Sequence, residues 1–144
     1  MLLAAISELQ PPAATSAIGV QETRWHGDVD ELVDTAWGTI HLLTANDPID
    51  AANGRNGIAL VLTGVLARAK VTANRPSPRL LSTLIEPTGR GAPRLRIHVG
   101  YAPASNSAAE DPFTPWLDTL QRTIATAQST APWIPDLVLA DLPD

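Results

Sequence analysis

Cysteine is missing from all 144 residues, which excludes disulfides, thiolate-ligated metals and a thiol nucleophile. Aromatic side chains are nearly as scarce, 4% of the chain, with one tyrosine, Tyr101, and one phenylalanine, Phe113. Positive charge is short as well: 10 lysines and arginines face 15 aspartates and glutamates, a formal net charge of -5 and a pI of about 5.0. No basic field therefore advertises nucleic-acid binding. Long apolar runs are lacking too. The opening MLLAAISEL has no positive flank, and Glu8 interrupts it well short of the roughly 20 residues of a membrane span. These absences predict a chain with no membrane partner, no disulfide partner and no evident address, an intracellular location being favoured.

The length fits one domain of ordinary size, and no internal repeat or low-complexity tract divides it. Leu2, Leu3, Ile6 and Leu9 fall at helical spacing, and Pro11 and Pro12 end that segment because proline lacks the amide donor. A strand is expected over Ala17 to Glu22. The segment from Trp25 to Asp34 carries His26, Gly27 and four acidic residues and reads as a surface loop or poorly formed helix. Thr39 to Leu43 reads as an edge strand, and Asn46 to Gly57, rich in Asn, Asp, Gly and Pro, as a loop. Ile58 to Leu62 and Val65 to Val71 are strand candidates around Gly64, with a proline-containing loop at Asn74 to Pro78. Leu80 to Glu86 and Arg94 to Tyr101, joined by the turn PTGRG, predict an antiparallel hairpin. A capping hydroxyl at Thr114 before Pro115 starts a helix whose stripe Phe113, Trp116, Leu117, Leu120, Ile124 and Ala127 packs on a sheet. Leu137 to Leu139 returns as a strand.

Three of these segments share a shape: a short apolar strand running into one polar or aromatic residue. AIGVQETRW puts Glu22 at the end of a strand in which Ile18 and Val20 share its face by period-two alternation. LRIHVGYAP ends on Tyr101, and LVLAD on Asp141. Side chains at strand ends are held by rigid scaffold, where catalytic groups are placed with precision.

In this order, QE, then YAP, then an aspartate closing a hydrophobic strand, the chain resembles the endonuclease/exonuclease/phosphatase superfamily. QETRW is similar in particular to the retroelement-type endonucleases that accompany reverse transcriptases. NGIALVL and RLLSTLIE resemble that family's intermediate strands, so the likeness runs from about Ala17 to the last residue. It implies an α/β (α+β) fold, a partial four-layer sandwich of mainly antiparallel sheets with flanking helices. The chain would supply about half of it and form a single partial domain. It also implies truncation at both ends, with a first strand carrying an asparagine and a terminal Ser-Asp-His segment lying outside this sequence. A sheet without its partner would expose an apolar face at about 25 cal/mol per Å² of lost burial, leaving poor stability and self-association through the exposed sheet.

The resemblance also implies chemistry. Glu22 matches the family's metal ligand, with magnesium as the ion, which keeps several waters and needs only one or two carboxylates. Tyr101 matches the tyrosine that reaches the phosphate, where a phenol of pKa about 10 acts as a hydrogen-bond donor rather than a base. Asp141 matches the aspartate of the GDFN motif, which protonates the leaving group or orients the nucleophile. This sequence reads Ala140, Asp141, Leu142, Pro143 there, so the phosphate-contacting asparagine is a proline. Arg24 and Trp25 would meet a nucleic-acid backbone and base, making DNA the expected partner, or would simply cover a sheet edge. Arg79, Arg90, Arg94 and Arg96 read as a solvated hairpin. None of His26, His41 and His98 matches the catalytic histidine, and all three read as surface residues. His26, Asp28, Asp30 and Asp34 read as an exposed acidic loop rather than a metal cluster.

Two functional readings follow. One is a fragment of a metal-dependent phosphodiesterase or endonuclease domain, inactive as this chain alone. The alternative is a non-catalytic remnant or binding module that keeps the scaffold. A chance match of motifs in an unrelated α/β protein is distinguished from both by whether Glu22, Tyr101 and Asp141 converge.

Overall fold

The computed structural model describes residues 15–25, 27–103 and 112–141. The helix expected near the start and His26 lie outside the described residues, as does the Leu142–Pro143 end of the third motif. The chain folds as α+β, two four-stranded sheets of mostly antiparallel strands. The first sheet holds β1 (Ser16–Gln21), β2 (Asp30–Thr35), β3 (Gly38–Ala45) and β4 (Ile58–Thr63), in the order β1-β4-β3-β2. The second holds β5 (Lys70–Ser77), β6 (Leu80–Glu86), β7 (Leu95–Tyr101) and β8 (Asp136–Asp141), in chain order. A short helix α1 (Pro48–Ala52) is capped by Asp47, and a 3-10 turn (Gly64–Arg68) leads from the first sheet to the second. Helix α2 (Phe113–Thr130) lies between β7 and β8 in sequence, and these two strands pair in parallel. That geometry requires such a crossover, because parallel neighbours cannot be joined by a tight turn.

Leu43, Leu60 and Leu62 of the first sheet and Leu81, Ile85, Ile97 and Val99 of the second form one fully buried cluster. The inner faces of the two sheets thus cover each other, and the bare sheet face expected of half a sandwich is not found among the described residues. Burial of this kind stabilises at about 25 cal/mol per Å². Residues of opposite parity, Ile40, Leu42, Ala59 and Val61, are buried on the outer face of the first sheet with Ile18, Val20 and Trp25 packed on them. Being buried on both faces explains why IALVLT shows no alternation. On the outer face of the second sheet, the α2 stripe of Phe113, Trp116, Leu117, Leu120 and Ile124 packs with Leu80, as its spacing predicts. Trp116 crosses β7 at Gly100, where a Cβ would lie 2.7 Å from its ring, so only glycine admits this approach.

The predicted hairpin is present, with Leu84 opposite Arg96 and Leu80 opposite Gly100. Other segments differ from expectation. The strand expected over Val65–Val71 is replaced up to Arg68 by the 3-10 turn, with β5 starting only at Lys70, and the loop expected over Asn46–Gly57 contains α1. Asp30–Thr35 is a strand rather than a loop: it forms the outer edge of its sheet, where charged side chains stay in water and block further pairing. Since β2 covers it, β3 is an interior strand and not an edge. The proline-containing stretch after Asn74 continues β5 to Ser77 through a register shift, the kind of bulge that tolerates Pro76 at a sheet edge.

Candidate functional site

The site is built beside a close approach of the two sheets. Gly19 of β1 faces β8 so tightly that a Cβ would sit 3.1 Å from that of Leu139. Without a side chain there, the end of β1 reaches the end of β7. The Gln21 amide donates to the Gly100 carbonyl at 3.5 Å. The next residue leaves the strand: Glu22 has φ 55, as Arg24 has φ 56 and Asn56 φ 54. Period-two alternation therefore stops at Gln21. Ile18 and Val20 face the outer cluster, whereas Glu22 turns toward the other sheet and accepts a hydrogen bond from the Tyr101 phenol at 2.8 Å. The shared face expected for Ile18, Val20 and Glu22 fails because the left-handed residue re-aims the carboxylate.

Neighbouring backbone holds this turn. Thr23 N–H donates to the Gly57 carbonyl and Arg24 N–H to that of Asn56. Asn46, 6% exposed, donates its amide to the carbonyls of Trp25 at 3.1 Å and Arg55 at 3.0 Å. One side-chain amide thus ties the segment after Glu22 to the loop after α1.

Tyr101 is fixed from its other side. Its own N–H and the Trp116 indole both donate to the Arg79 carbonyl, at 3.0 and 3.2 Å. The Arg79 guanidinium lies over the Tyr101 ring, 5.1 Å from its centroid, a cation–π geometry. A cation, a phenol and a carboxylate are thus stacked in sequence at one end of the sandwich. Arg79, expected in a solvated hairpin, belongs to this group. Its signal in the sequence was its place in the turn beside Leu80, whose strand pairs with the end of β7. A groove of about 330 Å³ continues from Arg79 past Trp116 and Pro103 to Asp47 and Asp50.

Asp141 closes β8 and stands opposite Tyr101 in the parallel register; its side chain lies outside the described residues. The backbone positions of all three motif ends therefore meet at one end of the fold: Glu22 bonded to Tyr101, and Asp141 on the strand beside it. Arg24 is exposed at the same turn, and Trp25 is half-buried against the outer-face cluster of the first sheet.

Glu22 is exposed and has one carboxylate oxygen engaged by Tyr101. Such a donor suits magnesium, which retains most of its water. Among the described residues no three histidine, aspartate or glutamate side chains gather into a cage for a cation. Asp30 is engaged with His41, Asp34 accepts from Thr39 at 2.9 Å, and Asp28 lies 3.7 Å from Arg75.

The histidines and Arg96 depart most from expectation. His41, Arg96 and His98 are 9%, 7% and 1% exposed, not surface residues. Arg96 donates to both carboxylate oxygens of Asp136, from Nε at 2.7 Å and Nη2 at 3.0 Å, and to the carbonyls of Ala127, Ala131 and Ile134. His98 bridges Asp136 Oδ1 and Ser82 Oγ, at 2.8 Å each. The Arg96 hydrogen bond, reinforced by that from His98, holds the Asp136 carboxyl well below the usual carboxylate range despite its burial. Strand alternation correctly gave these side chains a polar face; α2 then covers that face.

Comparison with family models, with curated proteins and with solved structures finds no match for this chain. No described helix is long and apolar enough to cross a membrane.

Proposed function

We propose that this chain is a single partial domain of a metal-dependent phosphodiesterase of the endonuclease/exonuclease/phosphatase kind, acting on nucleic-acid phosphodiesters. The observation that carries this reading is the 2.8 Å hydrogen bond from Tyr101 to Glu22, made between two sheets by residues 79 apart. The position of Asp141 beside Tyr101 supports it. So does the backbone at Glu22 and Arg24: left-handed conformations in non-glycine residues cost of order 1–3 kcal/mol each and concentrate at functional sites.

Glu22 would hold magnesium, which when bound neutralises charge on a phosphodiester. The residues themselves divide the remaining work. The Tyr101 phenol donates a hydrogen bond, either to Glu22 or to a phosphate oxygen that displaces it. Arg79, seated on the Tyr101 ring, supplies positive charge where phosphate charge develops. Asp141 is the candidate acid for the departing oxygen, and Arg24 and Trp25 are the candidate contacts to a DNA backbone and base. An intracellular site of action fits such a substrate. We read the apolar open edge of β8 as the surface through which copies of the chain associate.

Plasmid nicking in magnesium, comparing the chain with Glu22→Ala, tests the enzyme reading. A magnesium-dependent rate that Glu22→Ala abolishes supports it; equal, near-zero rates reject it for this chain. The second reading, a scaffold that binds without turnover, is favoured by Pro143, which lacks the amide of the family's asparagine. It predicts DNA binding that persists when nicking is absent.

A further inference from the structure

A groove of about 590 Å³ lies on the opposite face of the second sheet from the Glu22–Tyr101 pair, between β5, β6 and helix α2. Its floor includes Ser82 and His98, and its wall is a row of α2 side chains that includes Thr119, Arg122 and Thr126. Ser82 Oγ is 2.8 Å from His98 Nδ1, and His98 Nε2 is 2.8 Å from Asp136 Oδ1. The direction of these bonds is fixed by what each group can do. Arg96 can only donate, so Asp136, gripped by its fork, is an acceptor-only carboxylate. His98 Nε2 must then carry hydrogen toward Asp136. In the neutral imidazole this leaves Nδ1 bare, and Ser82 donates its hydroxyl hydrogen to it.

We propose that Ser82, His98 and Asp136 form a nucleophilic serine site that cleaves short carboxylic esters bound in this groove. The roles are those of a nucleophile, a base and an orienting acid, here with the two ring nitrogens exchanged relative to the usual serine hydrolase arrangement. Ser82 Oγ attacks the ester carbonyl carbon, forming a C–O bond, while His98 Nδ1 takes the hydroxyl proton. The bond to the alkoxy leaving group then breaks, and His98 delivers the proton to that oxygen. Water hydrolyses the acyl-serine by the reverse transfer: its proton passes to His98 and on to Ser82, so that ester and water become acid and alcohol. Asn74 stands opposite Ser82 in the β5–β6 register and lines the same groove, which places an amide donor for the carbonyl oxygen. Arg122 lines the groove, is exposed and makes no hydrogen bond to the described residues. It selects esters whose acyl part carries a second, ionised carboxylate.

The test begins with the unmodified chain. Incubation with an alkyl fluorophosphonate followed by peptide mass spectrometry is expected to find the phosphonyl adduct on Ser82. Labelling should disappear in Ser82→Ala and slow about a hundredfold in His98→Gln, the scale of a lost general base. Hydrolysis of 4-nitrophenyl hemisuccinate should exceed that of 4-nitrophenyl acetate, and Arg122→Gln should raise KM for the hemisuccinate alone. Absence of a Ser82 adduct in the folded unmodified chain, under conditions that label a control serine esterase, would overturn the proposal whatever the variants do. Equal ester hydrolysis by the chain and a folded Ser82→Ala would do the same.

Discussion

Tyr101 ends a strand of the second sheet and Glu22 follows the first strand of the other, yet the phenol of one donates to the carboxylate of the other at 2.8 Å. Three local features make the contact: no side chain at Gly19, a left-handed turn at Glu22 and the Arg79 cation that braces the Tyr101 ring. The bond is exposed to solvent, so little of the fold's stability rests on it. Tyr101→Phe is expected to lower unfolding free energy by about 1 kcal/mol or less in urea titration, within the net range of one hydrogen bond. Any magnesium-dependent nicking should fall much further, because the donor to phosphate is lost. A drop of several kcal/mol in stability would show that Tyr101 is chiefly structural.

Asp136 presents the opposite balance. Its side chain is 8% exposed and receives hydrogen bonds from Arg96, His98 and Gln128. Replacing it by Asn leaves the Arg96 guanidinium, also 8% exposed, without its counter-charge. Breaking a buried pair in this way costs about 3–5 kcal/mol. Chemical denaturation of Asp136→Asn should show a loss of that size, and a double change with Arg96→Met should recover part of it. If the single variant is as stable as the parent, the network does not anchor α2 and β8.

The same carboxylate gives the fold a defined acid response. Its pKa in the folded chain lies far below the ordinary 3.8, so below that value the unfolded chain binds the proton first. Stability from this group is complete above about pH 5, and it declines as pH falls through 3.8 toward the depressed folded value. The slope approaches about 1.4 kcal/mol per pH unit for one proton. Other carboxylates titrate in the same range, so the informative quantity is the difference between the parent chain and Asp136→Asn. Their urea midpoints should converge between pH 5 and pH 2; a constant separation contradicts the assignment.

Much of this architecture was legible in the sequence, for reasons that differ by element. The β6–β7 hairpin and the α2 stripe were readable because each has one buried and one open or differently covered face, which leaves a periodic signal. Asp30–Thr35 was not, since an edge strand with Asp30, Glu31 and Asp34 has the composition of a loop, and its pairing with β3 is a tertiary fact. Arg96 and His98 show the limit of alternation. It identified their common face correctly, but only the position of α2 makes that face interior. Similarly, the meeting of the three motif ends required strand order, whereas the turn that aims Glu22 lies in the backbone angles of a non-glycine residue and leaves no compositional trace.

The sheet edges at β2, β5 and β8 are unequally protected, and that inequality predicts how the chain associates. Edge strand β2 carries three acidic residues, and β5 has Lys70, Arg75, Pro76 and a register shift. These devices discourage further pairing. β8 reads DLVLAD; it pairs with β7 on one side, and among the described residues no strand covers its other edge. Leu137 and Val138 are 47% and 42% exposed, and Trp133 just before them is 74% exposed. An apolar strand with open amide and carbonyl groups can add a strand from a second copy. Sedimentation velocity should therefore show the average mass rising with concentration, and Leu137→Lys should restore the monomer by placing a charge where two apolar edges would meet. A parent chain that stays monomeric at high concentration would mean that this edge is shielded in solution and that self-association is not a property of the fold.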